Sequence, residues 1–301
     1  MSGTNFTLPN DIFDISPYHY VPTQSITILF LVLFGLSAGQ AVWYKIWWLL
    51  PTAVLAGVGE TIGWAGRYWS SRNVPNGDAF RIQIVCTIIS PTPLLAASFI
   101  ILSRLTSILG TQYSRLSPRW YSRIFLTCDI IALIIQALGG GLADSDDASQ
   151  SRLGSNIMLG GIVFQLVALV IFATLMVEYF VRCWRNLPRE GAMTSPYGSS
   201  TTLVRQPREI LKLKLASAAL CFSTLVLFIR SVYRTAELAD GWNGRIIATQ
   251  VYFNVLDGGM VVLAIYTLNF VHPGLWLGLA PRTEDKLVEG AEMSNLTDSR
   301  A

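Results

Sequence analysis

IMLGGIVFQLVALVIFATLMVEYF, residues 157–180, holds 24 residues and a single charge, Glu178. An α-helix rises about 1.5 Å per residue, so a helix of this length measures about 36 Å and exceeds the hydrocarbon core of a bilayer, about 30 Å. Backbone amides stay paired in lipid only within helices or closed barrels. Six further stretches are almost as apolar, at residues 23–44, 46–66, 82–103, 124–142, 213–229 and 246–271. The chain is therefore predicted to be all-α, a polytopic membrane protein with a seven-transmembrane-helix bundle.

The composition of the 301 residues agrees with this class. Apolar residues make up 52% of the chain and charged residues 14%, whereas about 25% of residues are charged in soluble domains. Residues 1–22 contain no Lys or Arg, which a cleaved signal peptide carries before its apolar stretch. We therefore expect the first span to be retained within one transmembrane domain at residues 23–273.

The basic residues predict the orientation of this domain. With the N-terminus outside, alternate segments place fifteen of the 22 Lys and Arg residues on the cytoplasmic side and seven outside. Because basic loops are retained in the cytoplasm, we predict an extracellular segment at residues 1–22, a mobile cytoplasmic loop at residues 182–212 and a cytoplasmic tail at residues 274–301. The net charge of +3 suits anionic lipid headgroups and gives no indication of nucleic-acid binding.

Polar side chains inside apolar spans indicate a candidate substrate site, because an intramembrane charge is costly unless it is paired or hydrated. Counted at about 1.5 Å per residue from the span ends, Glu60, Gln136 and Asp257 lie at a similar depth near the midplane. Gln165 and Asn254 complete the predicted substrate-binding set. The alternative is an interhelical clamp, in which these side chains only hold the helices together.

A second set of residues is predicted to have structural or gating roles. Pro91 and Pro93 remove two backbone donors near the middle of the third span and predict a kink there. Asp129 lies nearer the cytoplasmic end of the fourth span, where arginines are available to neutralise it. The other members share helix faces with polar groups: Gly63 and Arg67 in the second span, and Arg230, Arg234 and Glu237 at the outer end of the sixth.

Two interpretations of the sixth-span residues remain open. They form either an extracellular electrostatic lid over the bundle or a set of side chains that extend to the lipid headgroups and anchor the helix.

Several familiar kinds of site are missing from the sequence. It contains no P-loop of the form GxxxxGK[S/T], no GxSxG elbow and no HExxH motif. The two histidines, His19 and His272, lie near opposite ends of the chain, and the four cysteines follow no metal-ligand spacing. We therefore predict no catalytic residue, no metal and no cofactor, and we do not expect an enzyme.

Short motifs follow one another along the spans in a characteristic order. They are Glu60-Thr61-Ile62-Gly63-Trp64 with Arg67, Ser90-Pro91 followed by Ala96-Ala97-Ser98 and Arg104, Cys128-Asp129 followed by Gln136-Ala137, Gly160-Gly161 with Gln165, Arg230-Ser231-Val232-Tyr233-Arg234 with Glu237 and Gly241, and Asp257 with His272-Pro273-Gly274. In this order the motifs resemble those of the fungal Rta-like, or lipid-translocating exporter, family. The resemblance covers roughly residues 45–274.

This resemblance implies a seven-helix plasma-membrane protein that exports or flops amphipathic lipids and gives tolerance to toxic ones. Proteins of resistance to sphingoid long-chain bases and to 7-aminocholesterol belong to the family. The chain departs from the family pattern at Gln250, where members usually carry Glu, and at Gly258-Gly259, in a region that often contains Pro.

The residues and the resemblance together give one leading hypothesis. An amphipathic small molecule or membrane lipid, with a cationic amine like that of a sphingoid base, enters laterally between the helices. Glu60 and Asp257 counter its charge, while Gln136, Gln165 and Asn254 hydrogen-bond its hydroxyls. The kink in the third span is the moving element.

The alternative is a seven-helix receptor or lipid sensor that signals to a cytoplasmic effector. It has the same helix number and orientation, but helix number alone is only a fold-level analogy. The sequence carries no DRY-like motif after the third span, where Ser103-Arg104-Leu105 stands instead, and no NPxxY motif in the seventh. It leaves the oligomeric state open.

Overall fold

The computed structural model describes residues 16, 18, 20–43, 52, 54–73, 77–143, 145, 147–188, 207–241 and 244–270. These residues form helices and connecting turns, and no strand occurs among them. In chain order the helices are α1 Gln24–Trp43, α2 Leu55–Arg72, α3 Gly77–Leu109, α4 Pro118–Ala143, α5 Ala148–Trp184, α6 Pro207–Asp240 and α7 Gln250–Phe270. The prediction of an all-α chain is confirmed for the part that the structure describes.

Five of these helices, α3 to α7, are long and apolar enough to cross a membrane. In α1 the apolar helix is shorter, Gln24–Ser37. Helix α2 is 18 residues long but carries three charges, Glu60, Arg67 and Arg72, which lower its apolar character. The protein is therefore an integral membrane protein, and the count of seven spans and the orientation remain predictions.

The helices form a ring in which each packs against the next along the chain and α7 returns to α1. The second half of α3 also packs against α6, so α3 lies toward the middle of the bundle. Helices α4 and α5 are joined by four residues, 144–147, and Asp147 caps the start of α5 by accepting a hydrogen bond from the Ser149 amide at 3.0 Å. This short connection makes α4 and α5 antiparallel neighbours.

The exposed surface and the buried charges of the bundle differ from those of a soluble protein. Leu138, Val251 and Phe270 are more than 60% exposed on the outside of the bundle, whereas Glu60 and Asp257 are fully buried. Lipid solvates exposed apolar side chains, and charges inside a membrane protein face the bundle interior. The described helices therefore present apolar faces outward, and their interior combines an apolar core with buried polar clusters.

Two helices depart from regular α geometry close to the buried charges. Helix α3 is interrupted at Ser90, between Gly77–Ile89 and Pro91–Leu109. Helix α7 contains a π-helical stretch at Phe253–Gly259, which includes Asp257. π-Helical turns are rare in proteins as a whole, and those that occur are often found at functional sites.

The helices extend beyond the apolar stretches that the sequence analysis used. Helix α5 continues to Trp184 and α6 begins at Pro207, so both ends of the predicted loop at residues 182–212 are helical. Residues 189–206 of that loop, most of the predicted N-terminal segment and the tail at residues 274–301 lie outside the described residues.

Candidate functional site

Asp257 of α7 is held by two arginines of α6. Its Oδ1 lies 2.9 Å from Arg230 Nε, and both of its oxygens accept hydrogen bonds from Arg234, at 2.8 Å from Nε and 2.7 Å from Nη2. Arg234 also donates from Nη1 to Glu237 at 2.9 Å, and the Tyr233 hydroxyl donates to the other oxygen of Glu237 at 2.8 Å. Two arginines and two carboxylates therefore form a buried quartet in contact, whose formal charges cancel.

The break in α3 supplies further acceptors to this quartet. Pro91 has no amide hydrogen, so the carbonyl of Thr87, four residues earlier, loses its helical donor. Arg230 Nη2 donates to that carbonyl instead. The hydroxyl of Thr87 accepts from Arg234 Nη2 at 2.8 Å. The proline thus frees a backbone acceptor, to which Arg230 of α6 donates. Helix α3 therefore contacts the quartet next to its break.

Glu60 of α2 lies beside the quartet without joining it. Its side chain is fully buried, and neither carboxylate oxygen accepts a hydrogen bond. Asp257, Arg230 and Arg234 all lie within electrostatic reach of it. Trp64, one turn further along α2, faces Glu60, but its indole N–H completes no hydrogen bond. Glu60 is therefore a buried acid with no compensating partner in contact.

Helix α2 approaches its neighbours closely around Glu60. A Cβ on Gly63 would lie 2.9 Å from Thr87 Cγ2 and 3.3 Å from Cys86 Cβ, so only glycine allows this approach to α3. A Cβ on Gly258 would meet the ring of Trp64, which stacks on Phe30 with ring centroids 4.1 Å apart. The surroundings of Glu60 are therefore packed on the sides of α1, α3 and α7.

Arg67, two turns after Glu60, lies in an aromatic enclosure. Its guanidinium carbon is 4.5 Å from the ring centroid of Phe253 and 5.4–5.7 Å from those of Tyr18, Tyr20 and Trp64. Its Nη2 donates to the Tyr20 hydroxyl at 2.7 Å and its Nη1 to Gln83 Oε1 at 3.2 Å. Such cation–π contacts stabilise this buried guanidinium, which has no ion pair with an acid in the part of the chain that the structure describes.

The residues before α1 close this end of the bundle. The Tyr18 hydroxyl donates to Gln83 Oε1 at 2.6 Å, and burial raises the pKa of Tyr18 to about 12 even though the Arg67 charge acts in the opposite direction. A cavity of about 30 Å³ lies between Arg67, Arg234, Glu237 and the two tyrosines. It has room for about two water molecules, which is too little for a lipid to enter this cavity.

Gln136, Gln165 and Asp129 form a second cluster between α4 and α5. Gln136 Nε2 donates to Gln165 Oε1 at 3.0 Å, and Gln165 Nε2 lies 3.5 Å from Asp129 Oδ1 and 3.4 Å from the hydroxyl of Thr92 on α3. Asp129 contacts the Gln165 amide, and its neutralisation by an arginine stays a prediction. A Cβ on Gly161 would lie 2.8 Å from Gln136 Cγ, which brings α4 and α5 together here.

The predicted residues are thus divided between two clusters. Asp257 and the α6 residues meet in the first, with Glu60 beside them, and Gln136, Gln165 and Asp129 meet in the second. Asn254 lies on the π-helical stretch one turn before Asp257, buried, with its Oδ1 unpaired. Pro93 lies in the first turn of the second half of α3. The α3 break joins the clusters, because Thr87 contacts the first and Thr92 the second.

The anchoring interpretation of the α6 residues does not fit their contacts. Arg230, Arg234 and Glu237 are each at most 7% exposed. The two arginines contact α3 and α7, and Glu237 contacts Tyr233 and Arg234 within α6. The sequence analysis missed three residues of this region, Tyr18, Gln83 and Thr87. Gln83 and Thr87 are polar residues four apart in an apolar span, and this spacing was a usable signal. No group of acids, cysteines and histidines suited to a metal occurs among the described residues.

Comparison with known proteins gives the family. The chain is similar to the sphingoid long-chain base transporter RSB1 of the yeast Saccharomyces cerevisiae. The two are 29% identical over 276 residues, which cover 84% of this chain and 72% of the relative. It is 26% identical to protoporphyrin uptake protein 1, covering 70% of this chain and 64% of that protein, and 24% identical to protein RTA1, covering 71% and 62%. No solved structure matches the chain. The profile of the family described as RTA1 like protein matches residues 53–279, well over half of the sequence, and the chain belongs to this family.

Proposed function

We propose that this protein transports amphipathic lipids of the sphingoid-base or sterol type across a membrane and so protects the cell from toxic ones. In this proposal it is a seven-span, non-enzymatic protein of the plasma membrane, with its N-terminus outside and its C-terminus in the cytoplasm. The similarity to a relative named as a sphingoid long-chain base transporter supports the substrate class, and the excess of basic residues on one side supports the orientation.

The observation that carries the proposal is the uncompensated carboxyl group of Glu60. The quartet around Asp257 satisfies its own charges, so Asp257 is not free to counter a substrate amine in this conformation. Glu60 has no such partner. A primary amine supplies both the charge and the hydrogen-bond donors that its carboxylate lacks. We therefore assign the principal counter-charge to Glu60, with Asp257 fixing the arginines beside it.

The second cluster suits the neutral polar part of such a substrate. Side-chain amides of Gln136 and Gln165 both donate and accept hydrogen bonds, as hydroxyl recognition requires. Thr92 contacts Gln165 from α3, and Thr87 contacts the quartet from the other side of the break. Movement of α3 at Ser90–Pro91 would open both clusters together. The cavity beside Arg67 and Arg234 is only about 30 Å³, so a lipid would enter there only after such an opening.

Transport by the purified protein tests this proposal. The full chain is reconstituted in liposomes, and movement of a fluorescent long-chain base to the outer leaflet is followed with a membrane-impermeant quencher. We expect faster movement than in protein-free vesicles and, for Glu60→Gln, a loss of at least tenfold in rate. Glu178→Gln is the matched control, because it makes the same chemical change at an acid that is paired with Arg115 and Arg182. Glu178 is also far from Glu60 in the sequence.

Two results would contradict the proposal. Wild-type vesicles that move the lipid no faster than protein-free vesicles exclude transport by the chain alone. If the protein binds the lipid without moving it and gives an output only with a cytoplasmic effector, the receptor or sensor alternative is correct.

A further inference from the structure

Glu60 differs from the other buried charges in what surrounds it. The groups that act on it from neighbouring helices are Cys86 of α3, Arg230 and Arg234 of α6, and Asp257 of α7. Both arginines are already engaged with carboxylates, and their formal charges are cancelled within the quartet. Arg67 on the same helix is seven residues away, about 10.5 Å along the axis, and donates to Tyr20 and Gln83.

An ionised Glu60 would therefore add one net negative charge to a neutral, buried group of ions. Burying an uncompensated carboxylate without hydrogen-bond donors is costly. Two cations can remove that cost: a proton on the carboxylate itself, or a cation brought beside it. With nothing else bound, the proton is the one available, because neither oxygen of Glu60 has a donor in contact.

We propose that Glu60 is a proton-exchange site, where a proton and the cationic headgroup of the transported amphiphile compete for one carboxylate. The inference rests on the proposed function and adds a driving force to it, since the sequence contains no P-loop for ATP. The transported cation and the proton move in opposite directions, one for one, so the exchange carries no net charge across the membrane.

Each half of the cycle is balanced. On the cytoplasmic side the cation binds, the O–H bond of Glu60 breaks, and the proton leaves to the cytoplasm. On the outer side a proton from the medium forms that bond again and the cation departs. Neither half leaves a bare carboxylate in the bundle. The irregular parts of the helices next to Glu60 are the α3 break, which Gly63 approaches closely at Thr87, and the π-helical stretch of α7. We expect movement between the two halves of the cycle to occur there.

A permanently charged probe tests the coupling. A labelled long-chain trimethylammonium cannot lose a proton, so it does not cross a bilayer as a neutral amine, unlike a primary amine. Liposomes that contain the full chain are given a pH gradient of one unit. One pH unit corresponds to about 1.4 kcal/mol, so one-for-one exchange concentrates the probe on the acidic side by up to about tenfold, whichever way the protein is inserted.

The variants separate the possible outcomes. We expect gradient-driven accumulation in the wild type and in Glu178→Gln, and none in Glu60→Gln. Equal distribution with and without the gradient, or accumulation that survives in Glu60→Gln, would overturn the proposal. If a primary amine moves and the trimethylammonium does not, exchange at Glu60 by charge alone, as proposed here, is wrong while transport stands. If neither moves, the proposed function itself fails.

A second measurement uses only the wild-type protein and holds even if Glu60→Gln does not fold. Dicyclohexylcarbodiimide reacts with protonated carboxyl groups in apolar surroundings, and mass spectrometry of the digested protein identifies the modified residue. We expect labelling at Glu60 that falls severalfold when the trimethylammonium probe is saturating. An unlabelled Glu60, or labelling that the probe leaves unchanged, would contradict the exchange site.

Discussion

Replacing Asp257 by asparagine should destabilise the protein far more than replacing the more exposed acid Glu178 by glutamine. The change keeps the side-chain shape but leaves Arg230 and Arg234 with one carboxylate, Glu237, between them. Removing one partner of a buried ion pair typically costs about 3–5 kcal/mol, because the other charge stays buried and unpaired. We expect a loss in this range for Asp257→Asn.

The matched control is Glu178→Gln, which also converts an acid to its amide. Glu178 bonds Arg115 at 2.6 Å and Arg182 at 2.8 Å, but these arginine side chains are 52% and 33% exposed. Exposed pairs contribute about 0.2–1 kcal/mol. Glu178 makes two such pairs, so the expected difference between the two variants is about 1–5 kcal/mol.

Unfolding in mixed micelles with a rising fraction of denaturing detergent measures this difference. A double variant, Asp257→Asn with Arg230→Gln, returns the group to equal numbers of acids and arginines. Contacting residues show coupling energies of about 0.5–3 kcal/mol. The loss of unfolding free energy in the double variant should therefore be smaller than the sum of the losses in the two single variants. Equal losses for Asp257→Asn and Glu178→Gln, or strictly additive losses in the double variant, would refute the reasoning from charge balance.

Three further predictions follow from local geometry. Pro91→Ala restores an amide that competes for the Thr87 carbonyl, so this amide should be protected in hydrogen exchange and transport should slow; an unprotected amide would refute this. Gly63→Ala forces a Cβ to within 2.9 Å of the neighbouring helix and should lower the free energy of unfolding by about 1–3 kcal/mol, whereas Gly160→Ala meets nothing within 4 Å and should not destabilise. Because the pKa of Tyr18 is raised from 10.0 to about 12, its stabilising contribution is complete below pH 10 and is lost as pH rises toward 12; thermal unfolding against pH should show a smaller alkaline loss in Tyr18→Phe.

The helical fold was predictable because each apolar stretch needs only its own residues to be recognised. The all-α class is confirmed, and so is the family resemblance drawn from ordered motifs such as Glu60-Thr61-Ile62-Gly63-Trp64. Helix α2 is the least apolar of the spans, because Glu60, Arg67 and Arg72 lower its mean hydropathy. Two of these residues, Glu60 and Arg67, also belong to the candidate site. Seven spans and an outside N-terminus remain predictions.

The grouping of the polar residues was harder to predict, because depth along a helix says nothing about rotation around its axis. Gln136 shares a calculated depth with Glu60, yet its contact is with Gln165 between α4 and α5. The sequence predicts that Pro91 frees a carbonyl. It does not predict that Arg230 is the donor, since this depends on α3 lying against α6. The roles of these residues in transport remain proposals.

Infrared difference spectroscopy of the reconstituted protein tests the central claim most directly, that Glu60 holds a proton until a cation replaces it. When the trimethylammonium amphiphile is added, we predict that a protonated carboxylic-acid band decreases and a carboxylate band increases. The change should be present in the wild type and in Glu178→Gln and missing in Glu60→Gln. A wild-type spectrum without loss of the acid band, or the same loss in Glu60→Gln, would contradict the account.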